Sequence, residues 1–313
     1  MSKLRTLSSV LVCLALSPVG CKSDGGEDAD KGKDDGKEAA GDGKSDSKEA
    51  EAEDAGSLKV ATGDEGAEGP VPPETSMVFF TVEGALLPLA CFDKDAKKVH
   101  TADKCLDLVP DGATARLSSI DSHFNKPIGA RGEPQCTAGD GKNTAFLVEG
   151  ITEGANFKFG TWPPSGIKTV TPITDETMEP ENVEVSDDES AKLLAATGKS
   201  GELNVHQIAE FDLDGNDKKE KVFSIFLPDP KVIEQYAFSA MYLAPDGNLD
   251  GLVQIDQSKT KKDVYEIKGV LDLDGDGTKE MWIRQVFAEG AGDRLVKFAG
   301  GKIEPIGKYS CGG

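Results

Sequence analysis

The chain reads as mainly β: a disulfide-bonded, β-rich N-terminal half and two β-hairpin repeats with acidic loops, with one short helix between them. Three observations predict this class. From Met77 onward, short apolar runs alternate with Gly, Pro and Asp turns. Only one segment, Asp187 to Thr197, carries full helix punctuation. From Gly201 the sequence repeats itself, with Phe211-Asp212-Leu213-Asp214-Gly215 matching Leu271-Asp272-Leu273-Asp274-Gly275.

The first element is a processing signal. Lys3 and Arg5 precede an apolar stretch from Leu7 to Leu16, about ten residues and too short to span a bilayer. Leu16-Ser17-Pro18-Val19-Gly20-Cys21 resembles a bacterial lipobox, with Pro18 where that motif usually has Leu. The resemblance implies a lipoprotein signal over residues 1–20, lipid on Cys21 and attachment to a membrane of the cell envelope. Lys22, by the same resemblance, implies the outer membrane or cell surface. The alternative is an ordinary secretory signal that leaves Cys21 a plain thiol. Cys13 leaves with the signal in either case.

Residues 21–74 are almost entirely Gly, Ala, Ser, Asp, Glu and Lys, with no aromatic residue. Such a segment buries too little apolar surface to offset its ordering entropy, so it is expected to be a disordered tether. As a flexible coil it would span about 40 Å. The whole chain carries a net charge of −21. That surface disfavours nucleic acid, whose binding is dominated by phosphate neutralisation, and direct adsorption on anionic lipid.

The β-rich disulfide domain is expected over 75–185. Its strand-like runs are Met77 to Val82, Leu86 to Phe92, Ala113 to Ser119, Thr144 to Glu149 and Asn156 to Trp162. Cys91 and Cys105 flank a hairpin at Asp93 to Lys98 and are paired on that ground. Cys136 then pairs with Cys311, although the sequence also admits other connectivities. Residues 186–200 form the helix and linker. There Ser186 and Glu189 make a capping box, Leu193 and Leu194 an apolar side, and Gly198 a stop.

The repeat domain covers 201–313. Its unit is strand, acidic loop, strand: Leu203 to Phe211 before one loop and Lys221 to Leu227 after it, then Val264 to Leu271 and Met281 to Phe287 around the other. Alternation puts Tyr265, Ile267 and Leu271 on one face and Glu266 and Lys268 on the opposite one. In the second loop Asp272, Asp274, Asp276 and Glu280 fall at positions 1, 3, 5 and 9, with Gly277 at position 6. Ca²⁺ takes several oxygens around a sharp glycine turn, so these four carboxylates are candidate ligands, with the Thr278 carbonyl at position 7. The first loop offers Asp212, Asp214, Asn216 and Glu220, but Asp217 replaces the glycine and Lys218 and Lys219 oppose a cation. It is the weaker copy. In both loops the competing reading is a solvated turn. A third candidate, Asp246-Gly247-Asn248-Leu249-Asp250-Gly251, has oxygens at positions 1, 3 and 5 and Gly at 6 but Gln254 at 9, and the hairpin turn after Pro245 is the preferred reading.

The loops and their period resemble the FG-GAP and VCBS-type repeats of calcium-binding β-propellers. The resemblance covers Glu202 to the C-terminus and implies calcium-stabilised β-repeats. Two repeats do not close a propeller, so two packed β-rich halves are expected instead of a ring. His100, His123 and His206 stand apart, with no metalloprotease or nucleophile-elbow motif near them. Trp282, on the strand after the second loop, suits core packing better than sugar stacking. The expectation is a non-catalytic binding or structural module with an unknown protein or glycan ligand. The alternative is an envelope hydrolase with an unidentified carboxylate site.

Overall fold

The computed structural model describes residues 73–313 except 83, 102, 120–121, 133–144, 147–157, 168–169, 172–182, 233–234, 259–260, 262, 288–289 and 312–313. These residues belong to one compact unit beginning at Ser57. The expected signal, Cys21, nearly all of the tether and Cys136 lie outside the described residues, so the Cys136–Cys311 pairing falls there too.

Strands β1 (Met77–Val82) and β2 (Leu86–Asp93) are almost unbroken buried runs. They are apolar on both faces because both faces of their sheet are covered. Val78, Phe80 and Leu86 pack on one side, and Phe79, Leu87 and Leu89 on the other. A turn over Lys94–Lys97 leads to β3 (Lys98–Thr101), which pairs with β2. Helix α1 (Asp103–Leu106) then brings Cys105 to Cys91, and the expected disulfide forms. In the chain-entropy model a loop this short is worth about 3 kcal/mol. Strands β4 (Thr114–Ser118), β5 (His123–Pro127), β6 (Arg131–Gly132), β7 (Ala145–Phe146) and β8 (Phe159–Trp162) complete an eight-stranded sheet. Its order is β5-β4-β8-β1-β2-β7-β6, with β3 also on β2.

Helix α2 (Asp187–Thr197) has the bounds and caps expected of it. The Glu189 N–H donates to Ser186 Oγ (3.3 Å), the Ser186 N–H donates to Glu189 Oε2 (3.1 Å), and Gly198 closes the helix at φ 63°. Leu193, fully buried, seats α2 on the outer face of the second sheet among Val205, Phe223 and Leu227.

The second sheet is a four-stranded antiparallel meander of β9 (Asn204–Phe211), β10 (Glu220–Pro228), β11 (Tyr236–Ala244) and β12 (Val253–Gln257). The third repeats that form with β13 (Val264–Leu271), β14 (Glu280–Phe287), β15 (Gly290–Ala299) and β16 (Lys302–Cys311). The third sheet is the middle layer. Tyr265, Ile267, Val270 and Met281 pack on Phe211, Val222 and Met241 of the second sheet. Leu271, Trp282 and Leu295, on its other face, pack on Phe79, Leu87 and Leu89 of the first.

One expectation fails in β13. Simple alternation put Leu271 with Tyr265 and Ile267, but the register shifts between Ile267 and Gly269, and Leu271 faces the first sheet. A bulge adds one residue and so reverses the facing of everything after it. Gln207 of β9 caps the bulge from the neighbouring sheet. Its Nε2 donates to the Ile267 carbonyl (3.1 Å), and the Ile267 N–H donates to its Oε1 (2.6 Å). Glu266 and Lys268 are buried and pair with each other at 3.3 Å.

Candidate metal centre

The two acidic loops are the first hairpin connections of the two meanders, β9 to β10 and β13 to β14, and they fold alike. At position 1, Gly277 N–H donates to Asp272 Oδ2 (3.0 Å) and Asp217 N–H to Asp212 Oδ2 (3.1 Å). At position 3, Asp276 N–H donates to Asp274 Oδ1 and Asn216 N–H to Asp214 Oδ1, both at 3.3 Å. At position 5, Thr278 N–H donates to Asp276 Oδ1 and Lys218 N–H to Asn216 Oδ1, both at 2.8 Å. Position 6 is left-handed in each, with φ 86° at Gly277 and 65° at Asp217. The aspartate therefore takes the glycine's conformation at some steric cost.

Position 9 closes each loop from the strand behind it. Glu220 and Glu280 are both 0 % exposed. Glu220 Oε2 accepts the Leu213 N–H (2.6 Å) and Glu280 Oε2 the Leu273 N–H (2.9 Å). The two leucines at position 2 are themselves buried, so core packing fixes the backbone that presents the acids. Asp272, Asp274 and Asp276 bring oxygens within 4.8 Å of one another, and so do Asp212, Asp214 and Glu220.

The loops also touch. The Lys279 N–H donates to the Leu213 carbonyl at 2.7 Å, and a Cβ on Gly215 would lie 2.9 Å from the Gly277 carbonyl oxygen. Glycine at 215 thus serves both a left-handed turn at φ 73° and this close approach.

Burial dominates the electrostatics. It pushes the Glu280 carboxyl up to about 7, despite the Leu273 N–H and the Lys297 ammonium, which act the other way. Burial also raises Asp272, Asp274 and Glu220. In Asp276 burial is overcome by Lys297, which holds its carboxyl below the usual range.

Asp272 Oδ1 is buried without a hydrogen-bond donor, and buried Glu280 Oε1 faces only the Lys297 ammonium, at 3.3 Å. A set of ligand atoms made only of oxygens, with one of them left without a donor and another already facing a cationic group, fits a hard cation. The acidic groups Asp212, Asp214 and Glu220, and Asp272, Asp274 and Asp276, could hold a metal ion. Asn216 keeps its place at position 5 but donates its amide N–H to Asp246 Oδ1 (3.0 Å).

Sequence reasoning missed Lys297 here, and it read Asp246 as part of a separate turn and not as a neighbour of the first loop. Lys297 lies on β15 directly opposite Glu280, and no local spacing could point to it. Asp246 comes from the segment read as a hairpin turn. That segment does form turns, but they carry Asp246 to Lys218 (3.0 Å) and Asp250 to Lys192 (3.0 Å).

The other chemistry-bearing residues are dispersed. His100 faces Asp93 and buried His206 faces Glu266, each at 3.8 Å, while His123 is exposed. Trp282 is 1 % exposed, so it is a core residue. Searches against protein-family models, curated proteins and solved structures find nothing that matches the chain.

Proposed function

We propose that the chain is a membrane-anchored envelope lipoprotein whose folded part is a non-catalytic binding or structural module with Ca²⁺ pinning its loops. One observation carries the metal reading: the same positions make the same bonds in both loops, although only one loop keeps the glycine at position 6. A solvated turn needs an Asp and a Gly. It does not need a second and third acid held on a common point, or a buried glutamate behind them. Calcium suits the set better than magnesium, which demands a tighter octahedron and dehydrates reluctantly. Two meanders stacked face to face, each opening with such a loop, also suit the propeller-repeat resemblance.

The acids do not favour the hydrolase. Glu280 has the raised pKa of a general acid, but it is wholly buried behind its loop and offers no surface to a substrate.

Calorimetric titration of the mature chain tests the metal reading. Calcium is expected to give binding heat at both loops, with magnesium giving less. Asp274→Ala is expected to remove the second-loop component and Asp214→Ala the first. Absence of any calcium heat would refute the reading.

A further inference from the structure

We infer that Lys297 is an internal competitor for the cation in the second loop, so that calcium binds there by displacing the lysine ammonium into solvent. The inference rests on the calcium reading above and adds a regulatory residue to it. Lys297 Nζ lies 2.8 Å from Asp276 Oδ2, 3.3 Å from Glu280 Oε1 and 3.5 Å from Asp274 Oδ2. One ammonium thus bridges three of the carboxylates proposed as ligands. Glu280 Oε1, on a fully buried side chain, is turned toward this point and has the Lys297 ammonium as its partner there.

The position follows from register. In the antiparallel pair β14–β15, Glu280 stands opposite Lys297, so their side chains share a face. The other repeat has no such lysine. Its register runs through Lys221 opposite Ala244, which brings Glu220 beside the turn starting at Pro245. There the Asp246 N–H, 3.5 Å away, faces Glu220 Oε1.

A divalent ion and an ammonium cannot share these three carboxylates, because like charges at contact distance repel strongly where water is scarce. The lysine has a way out. Asp276 is half exposed, and a four-carbon stem can stay packed while its head moves to water. In the absence of calcium the ammonium neutralises the cluster and keeps the loop folded. In its presence the same ammonium is the price of entry. The first loop has no such gate; its lysine, Lys218, pairs with Asp246 at the rim instead.

Two readouts test this on the full mature chain. In the first, lysines are reductively methylated with and without calcium and Lys297 is followed by peptide mass spectrometry. Its labelling rate is expected to rise several-fold with calcium while distant Lys199 stays constant. In the second, Lys297→Gln and Lys297→Arg are titrated with calcium. Calcium affinity is tuned over decades by ligand charge, so Gln should tighten the second loop by about tenfold or more and Arg should not. Calcium binding at both loops with unchanged Lys297 labelling and unchanged affinity in Lys297→Gln would overturn the competitor and leave the calcium reading standing. Absence of calcium binding in wild type and variants alike would overturn both. The labelling arm needs no substitution, so it decides even if Lys297→Gln does not fold.

Discussion

Trp282 shows how a single side chain's burial settles its role. It sits between the first and third sheets, 5.5 Å from the Phe79 ring and 6.0 Å from the Phe159 ring, and its Nε1 donates to Asp293 Oδ1 at 2.7 Å. No sugar can stack on a ring so enclosed. Trp282→Ala should cost about 3–5 kcal/mol, the usual range for emptying a large aromatic site. Trp282→Phe should cost less and leave calcium binding intact. Urea unfolding of both variants, with calorimetry of the Phe variant, checks this. A mild effect of Trp282→Ala on stability would mean that the two sheets do not depend on their shared core.

Among the elements, the loop pair is the most informative. Each loop was legible alone, because ligand spacing is local and Asp272 to Glu280 states it within nine residues. The contact between the loops was not legible, since the Lys279–Leu213 hydrogen bond depends on how two sheets stack. Gly215→Ala should open this contact. A Cβ there meets the Gly277 carbonyl oxygen, and the left-handed conformation alone costs about 1–2 kcal/mol for an L-residue. The expected outcome is lower stability together with weaker calcium binding in both loops, read by melting and calorimetry. An effect confined to the first loop would mean that the two act separately.

Helix α2 was legible almost to the residue, because its capping box and Gly198 stop are both written locally. Its link to the second sheet through Lys221, 2.5 Å from Glu189, was not. That lysine first, together with the Ser186 bonds, holds the Glu189 carboxyl below its ordinary value against burial, which acts the other way. A depressed carboxylate contributes stability that is present above its unfolded pKa and is lost as pH falls through the folded one. Glu189→Gln should therefore be less stable than wild type at neutral pH, and the gap should close as pH drops below about 4.5. Urea midpoints across that range give the measurement, and a gap that persists in acid would contradict it. In β13, alternation failed at the bulge, because a single inserted residue leaves no mark in composition. Its consequence, Leu271 facing the first sheet, appears only in the shifted pairing with β14.

At the scale of the whole molecule, the sequence predicts strands better than their partners. Continuous apolar runs such as Met77 to Val82 signal burial on both faces. Nothing in them says that the third sheet lies between the other two, because that order depends on contacts far apart in sequence. The proposed anchoring rests on the expected N-terminal signal and on Cys21. Cys21→Ser should release the protein from the membrane fraction, and intact-mass analysis of the native protein should find lipid on Cys21. An unmodified N-terminus at any other residue would contradict the anchoring proposal.

Calcium binding to the two acidic loops is proposed to stabilise the stacked sheets. A ligand that binds only the folded state adds RT ln(1 + [L]/Kd) to stability. For affinities of the extracellular kind, 1 mM calcium adds about 0.4–1.4 kcal/mol per loop. The most direct measurement is the thermal melting of the mature chain with millimolar calcium and with chelator, alongside the double variant Asp214→Ala/Asp274→Ala. Tm is expected to rise by a few degrees with calcium, less with magnesium, and not at all in the double variant. Superimposable melting curves for the wild type in calcium and in chelator would contradict it, leaving the loops as turns neutralised by Lys297 and Lys218.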